Sequence, residues 1–246
     1  MRIADKLLSR QGHRPWPCPR SQWTWRQSWN ELLFLHYRVE KKEISHLVPD
    51  GVHVQEFDGT SWIGIVPFRM QSVMRNPLPD FPWFSNFLEL NVRLYVEYEG
   101  KAGVWFLSLD ATNPFVVWGG QRYFKLPYHN ARMRLTEENE FKIFQSTRKD
   151  KTQANFRARY RPTSDVFYSQ AGTLEHFLTE RYCFFSQVGD RVVRTDVHHW
   201  PWPLRIAKVE VLSNTLVNEW AITLREPAFC HYSPGVDVIS WPPGSD

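Results

Sequence analysis

FLELNVRLYVEYEGKAGVWFLSLDATNPFVVWGGQRYFKLPYHNARM, residues 87–133, decides how this chain is read. Its first segment alternates. Glu89, Asn91, Arg93, Tyr95 and Glu97 fall on one side of a strand, and Leu90, Val92, Leu94 and Val96 on the other. One reading leaves the polar side in water over an aliphatic core. The other has the polar side lining an enclosed cavity while the aliphatic side packs under a helix. Glu89 and Arg93 would then hold one another, or present an acid and a base to a ligand. After the turn at YEGKAG, Gly103–Leu109 supplies the partner strand. ATNPFVVWGG predicts a short helix with Asn113 as N-cap, Pro114 at its first position and Gly119 past its end.

Outward from this stretch the chain reads as short strands. WNELLFLHYRV (29–39) is an apolar strand, and EKKEISHLVPDG a short helix that ends before Pro49. VHVQEFDGTSWIGIVPF (52–68) reads as a hairpin around Asp58-Gly59, a pair that favours a type I′ turn. A Pro-rich loop, MRNPLPDFPW (74–83), precedes the central strand pair. Further strands are expected near 140–144, 153–161, 182–187, 191–197, 207–212 and 236–239, with a helix in GTLEHFLTER (172–181). Many strands with few helices predict an α+β, mainly β domain over residues 22–246, with a few short peripheral helices.

Composition narrows the class. A chain of 246 residues can bury a core without disulfides, and 12 Trp with 17 Phe must fill an interior or line a pocket. No apolar run is long enough for a membrane span, so no membrane partner is expected. Three widely spaced cysteines (Cys18, Cys183, Cys230) and no secretory signal point to a cytoplasmic chain. The net charge of +4 is concentrated at the start: six basic residues stand against Asp5 within 1–28, leaving the remainder at −1. Residues 1–21 therefore read as a basic, Pro-rich arm. It is either a solvated, poorly ordered terminus or a surface for polyanions.

Other motifs carry less. His198 and His199 adjoin WPWPL, but neighbours on a strand point opposite ways and no second ligand pair accompanies them, so no metal is expected. Arg157, Arg159 and Arg161 in FRARYRP share one strand side, which suits an exposed edge better than a nucleic-acid face. WGGQ is explained as a helix end. No nucleophile elbow, phosphate loop or dinucleotide fingerprint occurs, and no cofactor is expected.

WNELLFLHYRV…LVPDG, FDGTSWIGIVPFRM, ELNVRLYVEYEGKAGVWFLSLDA and FKLPYHNARM, taken in order, resemble the DUF2071 or YqjF-like family over nearly all of residues 22–241. That family looks like a distant branch of the acetoacetate decarboxylase superfamily. The resemblance implies a β-barrel or cone with a central cavity. It also implies that the superfamily's strand acid falls on Glu89, and that its two lysines after a proline fall on Tyr128 and His129, following Pro127. A superfamily arginine falls on Asn30. Schiff-base chemistry needs an unprotonated amine, which Tyr128 lacks. Lys125, three residues earlier, faces away from Tyr128 by alternation unless Pro127 alters the parity. Decarboxylase activity is therefore not expected.

The expected function is binding of a small acidic or carbonyl ligand in a polar cavity. Asn30, Arg69, Glu89, Asn91, Arg93, Tyr128 and His129 are the candidate residues, and Arg93 or Arg69 would hold an acid. An enzyme acting on an oxo acid, with Glu89 as acid or base and Tyr128 as electrophile, is the alternative. Polyanion binding by the arm is the third. Nucleic acid is otherwise not expected, and homo-oligomers are left open.

Overall fold

The structure is a computed structural model that describes residues 3–79 and 85–245. Part of the Pro-rich loop at 80–84, and Arg2 of the basic arm, lie outside the described residues. Twelve strands, β1 (Trp25–Val39), β2 (His53–Val54), β3 (Ser61–Arg75), β4 (Asn86–Tyr98), β5 (Lys101–Ala111), β6 (Tyr128–Glu138), β7 (Phe141–Arg148), β8 (Asn155–Pro162), β9 (Cys183–Val188), β10 (Arg191–His199), β11 (Arg205–Asn214) and β12 (Phe229–Ser240), form one sheet. Four short helices decorate it: α1 (Ile3–Leu8), α2 (Lys41–Ile44), α3 (Pro114–Gly119) and α4 (Leu174–Thr179). Among the described residues no helix is long and apolar enough to cross a membrane.

The sheet closes on itself. Its order runs β10-β9-β5-β6-β7-β8-β11-β12-β1-β3-β4-β2, and two further pairings, β4 with β5 and β10 with β12, join distant parts of that row. A closed sheet satisfies its backbone groups and can bury both faces of the shared strands β1, β3, β4, β5 and β12. The alternation in β4 is thereby resolved. Leu90, Val92, Leu94 and Val96 are fully buried, in one core with Leu33 and Leu35 of β1, Ile63 and Ile65 of β3, and Phe144, Phe156 and Tyr160 of β7 and β8. The polar side is buried as well: Glu89 and Asn91 are 3% and 6% exposed, and Tyr95 is fully buried. The covering helix, however, lies over the polar side. Val117 of α3 packs with Phe87 and Ala111 beside Glu89, while the aliphatic side looks mainly across the closed sheet.

Several local expectations need correction. The Asp58-Gly59 turn is present, with φ of 49° and 72° and mutual Phe57–Thr60 backbone bonds, as a type I′ turn requires. Its incoming strand, β2, nevertheless pairs with β4 rather than β3, because Gln55 and Glu56 separate it from the turn. Gly119 is the last residue of α3 rather than the one past its end. Its φ is −63°, and the chain continues through a π-helical turn, Gly120–Phe124, that closes at Lys125 in the left-handed region (φ 52°). β6 escaped the sequence reading because Pro127 and the arginines mask its alternation. β8 is no edge: it lies between β7 and β11, and Arg159 covers the Phe141 ring at 3.7 Å.

The arm is laid on the domain, with Ala4, Leu7 and Arg14 buried and much of the rest exposed. Ala4 and Leu7 of α1 are buried against Ile239 and Trp241. Arg14 forms a buried ion pair with Asp196 at 3.1 Å and also donates to the Val197 carbonyl, and Trp16 donates to the same Asp196 at 2.8 Å. Lys6 and Arg10 both stack on the Trp200 ring. His13 adds a contact to the His199 carbonyl at 2.8 Å and stacks on the His198 ring. Among the described cations of the arm, Arg14 is spent on the domain, whereas Lys6, Arg10 and Arg20 stay exposed.

Candidate functional site

Glu89 sits near the start of β4, paired with Phe68 of β3 and Ala111 of β5. Its side chain ends at the floor of a cavity of about 420 Å³. The walls are mainly apolar: Met70 and Val73 of β3, Phe87 of β4, Trp25 of β1, and Val116 and Trp118 of α3. Gln27 and Arg75 are the polar groups towards the rim. α3 is held over this floor by Asn113, whose side-chain oxygen accepts from the Phe115 and Val116 amides at 3.0 and 3.4 Å.

Tyr128 reaches the same floor from β6. Parallel pairing sets Tyr128 beside Leu109 of β5, and its Oη donates to Glu89 Oε2 at 3.0 Å. The Gly-Gly pair makes room for it. A Cβ at Gly120 would stand 2.3 Å from the Tyr128 ring, whereas one at Gly119 would meet nothing. Gly120, the C-cap of α3, is thus also a residue of the site. Burial pushes the Glu89 carboxyl up to about 8; the Tyr128 hydrogen bond pulls partly against that, and the nearby Asp110 adds to it. Burial beside Glu89 likewise lifts the Tyr128 phenol well above its usual value. At pH 7 the floor is therefore a neutral acid bonded to a neutral phenol. Glu89 Oε1 has no protein partner among the described residues.

The other candidate residues lie elsewhere. Arg93 shares the side of Glu89 but stands four residues along β4, about 13 Å at strand spacing. It donates to the Leu178 carbonyl at 3.0 Å and lies over the Phe34 and Tyr95 rings, so no Glu89–Arg93 pair forms. Asn91, between them, is buried with its side-chain oxygen unpartnered among the described residues. Glu31, in the left-handed region at φ 54°, inserts an extra residue into β1 opposite β3. That bulge reverses the faces of β1, so Trp29 and Leu32 share one side and Asn30 turns to the other, where it donates to Gln71 at 2.8 Å. Arg69 also lies there, paired with Glu31 at 2.8 Å, and Lys142 holds the second Glu31 oxygen at 2.8 Å. His129 alternates away from Tyr128 and contacts Asp150 at 3.1 Å. Lys125 is exposed and lines a separate cleft with Trp105 and Trp220. The lining of the Glu89 cavity includes no lysine.

The histidine motif is structural. His198 contacts the Leu7 carbonyl at 2.9 Å and His199 the Trp200 carbonyl at 2.7 Å, and Trp202 packs on His199. No cluster of potential metal ligands occurs among the described residues. The residues that sequence reasoning missed are the cavity walls. Phe115, Trp118 and Tyr123 were visible as rings in a short helical segment, but nothing local told which of them would face a cavity.

Comparison with known proteins shows the family and the fold. The profile of DUF2071, described as an uncharacterized conserved protein, matches residues 26–237. The uncharacterized protein YqjF of Bacillus subtilis (strain 168) is 36% identical over 225 residues, covering 91% of this chain and 93% of that protein. Among solved structures, acetoacetate decarboxylase from Legionella pneumophila superposes with a TM-score of 0.62 at 14% identity, covering 94% of this chain and 92% of the other. The enduracididine biosynthesis enzyme MppR, solved with pyruvate, gives a TM-score of 0.58 at 12% identity, covering 93% and 91%. At such identities the likeness is one of fold.

Proposed function

The chain belongs to the DUF2071 family, and from that premise we propose that its cavity binds a small, largely apolar carbonyl compound without forming a Schiff base. Glu89 carries the reading. A carboxyl held neutral at pH 7, bonded through one oxygen to Tyr128, can donate its proton to a ligand carbonyl through the other. The remaining walls offer apolar contact. An acidic ligand is disfavoured, because Arg93 and Arg69 are committed to other partners and only Arg75, at the rim, could meet a carboxylate.

The test is a titration of 2-octanone, octane and octanoate, followed by the fluorescence of Trp25 and Trp118. The ketone is expected to bind about five- to tenfold more tightly than the alkane, the worth of one net hydrogen bond. Glu89→Ala should erase that difference. Equal binding of ketone and alkane by the unaltered protein would sink the proposal. Borohydride treatment with acetoacetate or pyruvate should leave every lysine unmodified, and an adduct on Lys125 would replace this reading with amine chemistry.

A second reading is favoured by the same residue. A carboxyl titrating at about 8 can give and take a proton near neutral pH, with Tyr128 polarising the carbonyl. Such an enzyme would exchange the α-hydrogens of a bound ketone with deuterated water, and Glu89→Gln would stop it. Unchanged ketone in deuterated water would leave binding alone.

A further inference from the structure

The cavity opens through an unusual surface. Phe115, Trp118 and Tyr123 are 66%, 62% and 68% exposed, and Leu78, also on the cavity lining, is 45% exposed. Several large exposed rings close together mark interaction surfaces on soluble domains. The chain that carries these rings has charge of one sign. Residues 111–136 contain Arg122, Lys125, Arg132 and Arg134 and no Asp or Glu. Arg132 and Arg134 alternate with the inward Ala131 and Met133 of β6, so they extend outward along the strand that begins at Tyr128.

We propose that this face docks on an anionic lipid surface, with the rings at headgroup level and the arginines against lipid charge. Aromatic side chains with one polar edge settle at membrane interfaces, and basic residues beside them add attraction to anionic lipids. A second copy of the chain fits less well, since a two-fold contact would bring like cations face to face. A nucleic-acid strand could use rings and arginines, but it would leave Leu78 and the apolar cavity mouth uncovered, whereas acyl chains cover both. A cavity opening into this contact would take an apolar compound directly from the bilayer. That last step rests on the ligand reading above; the docking does not.

Flotation with vesicles of phosphatidylcholine alone, or with about one third phosphatidylglycerol, tests it. Binding is expected to the mixed vesicles and to weaken with salt. The double variant Phe115→Ser/Trp118→Ser should lower the bound fraction roughly tenfold, and Arg132→Ser/Arg134→Ser should remove most of the salt dependence. All four positions are at the surface, and circular dichroism checks that the variants fold. Absence of binding to either vesicle overturns the proposal, as does binding indifferent to both variants. So would a dimer in light scattering, or binding of an oligothymidine strand, that the ring variant abolishes while vesicle binding persists. A failed ketone titration with intact vesicle binding would refute the cavity ligand and leave the docking in place.

Discussion

Replacing Glu89 by glutamine removes a specific pH dependence of stability, and its size follows from the burial of the carboxyl. Unfolded, the group titrates at an ordinary 4.5; folded, it titrates at about 8. Between those values the native state keeps a proton that the unfolded chain has lost. The stabilising effect of that difference is thus complete below pH 4.5 and disappears as pH rises through about 8. At about 1.4 kcal/mol per pH unit, roughly 5 kcal/mol is at stake. Glutamine has nearly the same shape, stays neutral and still accepts the Tyr128 hydrogen bond, so it mimics the protonated acid at every pH. Urea unfolding of both proteins from pH 5 to 9 isolates the term by difference. About 4 kcal/mol of it falls between pH 5 and 9, so with a denaturant slope of about 2–3 kcal/mol per molar the variant should gain roughly 1.5 M in midpoint relative to the parent across that range. Tyr128→Phe should move the parent's titration further up, because the lost hydrogen bond was the influence holding it down. Parallel curves for parent and glutamine variant would refute the buried, neutral carboxyl, and with it the donor assigned to the ligand.

Further outcomes follow from other parts of the molecule. Gly120→Ala should cost about 1–3 kcal/mol and weaken ketone binding, because its methyl group meets the Tyr128 ring, while Gly119→Ala should be neutral or slightly stabilising; thermal melts of the two variants compare them directly. His198 and His199, both depressed to about 4 chiefly by burial, favour the native state in full above pH 6.5 and lose that effect as pH falls towards 4. Acid unfolding midpoints should therefore drop over that window, and His198→Gln should make the drop shallower. Arg14→Ala leaves Asp196 buried with less compensation and should cost about 3–5 kcal/mol. Limited proteolysis should then cut within residues 3–21 faster than in the parent.

The β4 alternation, the Asp58-Gly59 turn and the Asn113 cap were legible because each depends on neighbours within a few residues. The same holds for the aliphatic core: alternate Leu and Val must go somewhere dry. Family membership, read from ordered motifs, put Glu89 and Tyr128 forward as a pair before any contact between them was visible. What the sequence could not supply was the direction of faces after an irregularity. Glu31 in β1 adds one residue and leaves Asn30 on the side opposite Glu89, where Arg69 of β3 already lies by its own alternation. A single-residue insertion reverses every side chain beyond it, and no local pattern announces it.

The arm shows the same division. Its cations were countable in the sequence, but their partners, Asp196 and Trp200, lie some 180 residues away. Gly120 was read as a helix end because its reason for being glycine, the ring of Tyr128, arrives through a parallel pairing of β5 with β6. The sequence by itself determined most of the strands, the aliphatic core and, through the ordered family motifs, the identity of the acid and the phenol. Only the tertiary structure decided which face is enclosed, which charges are already spent and how apolar the cavity is, because those depend on strands brought together by closure of the sheet.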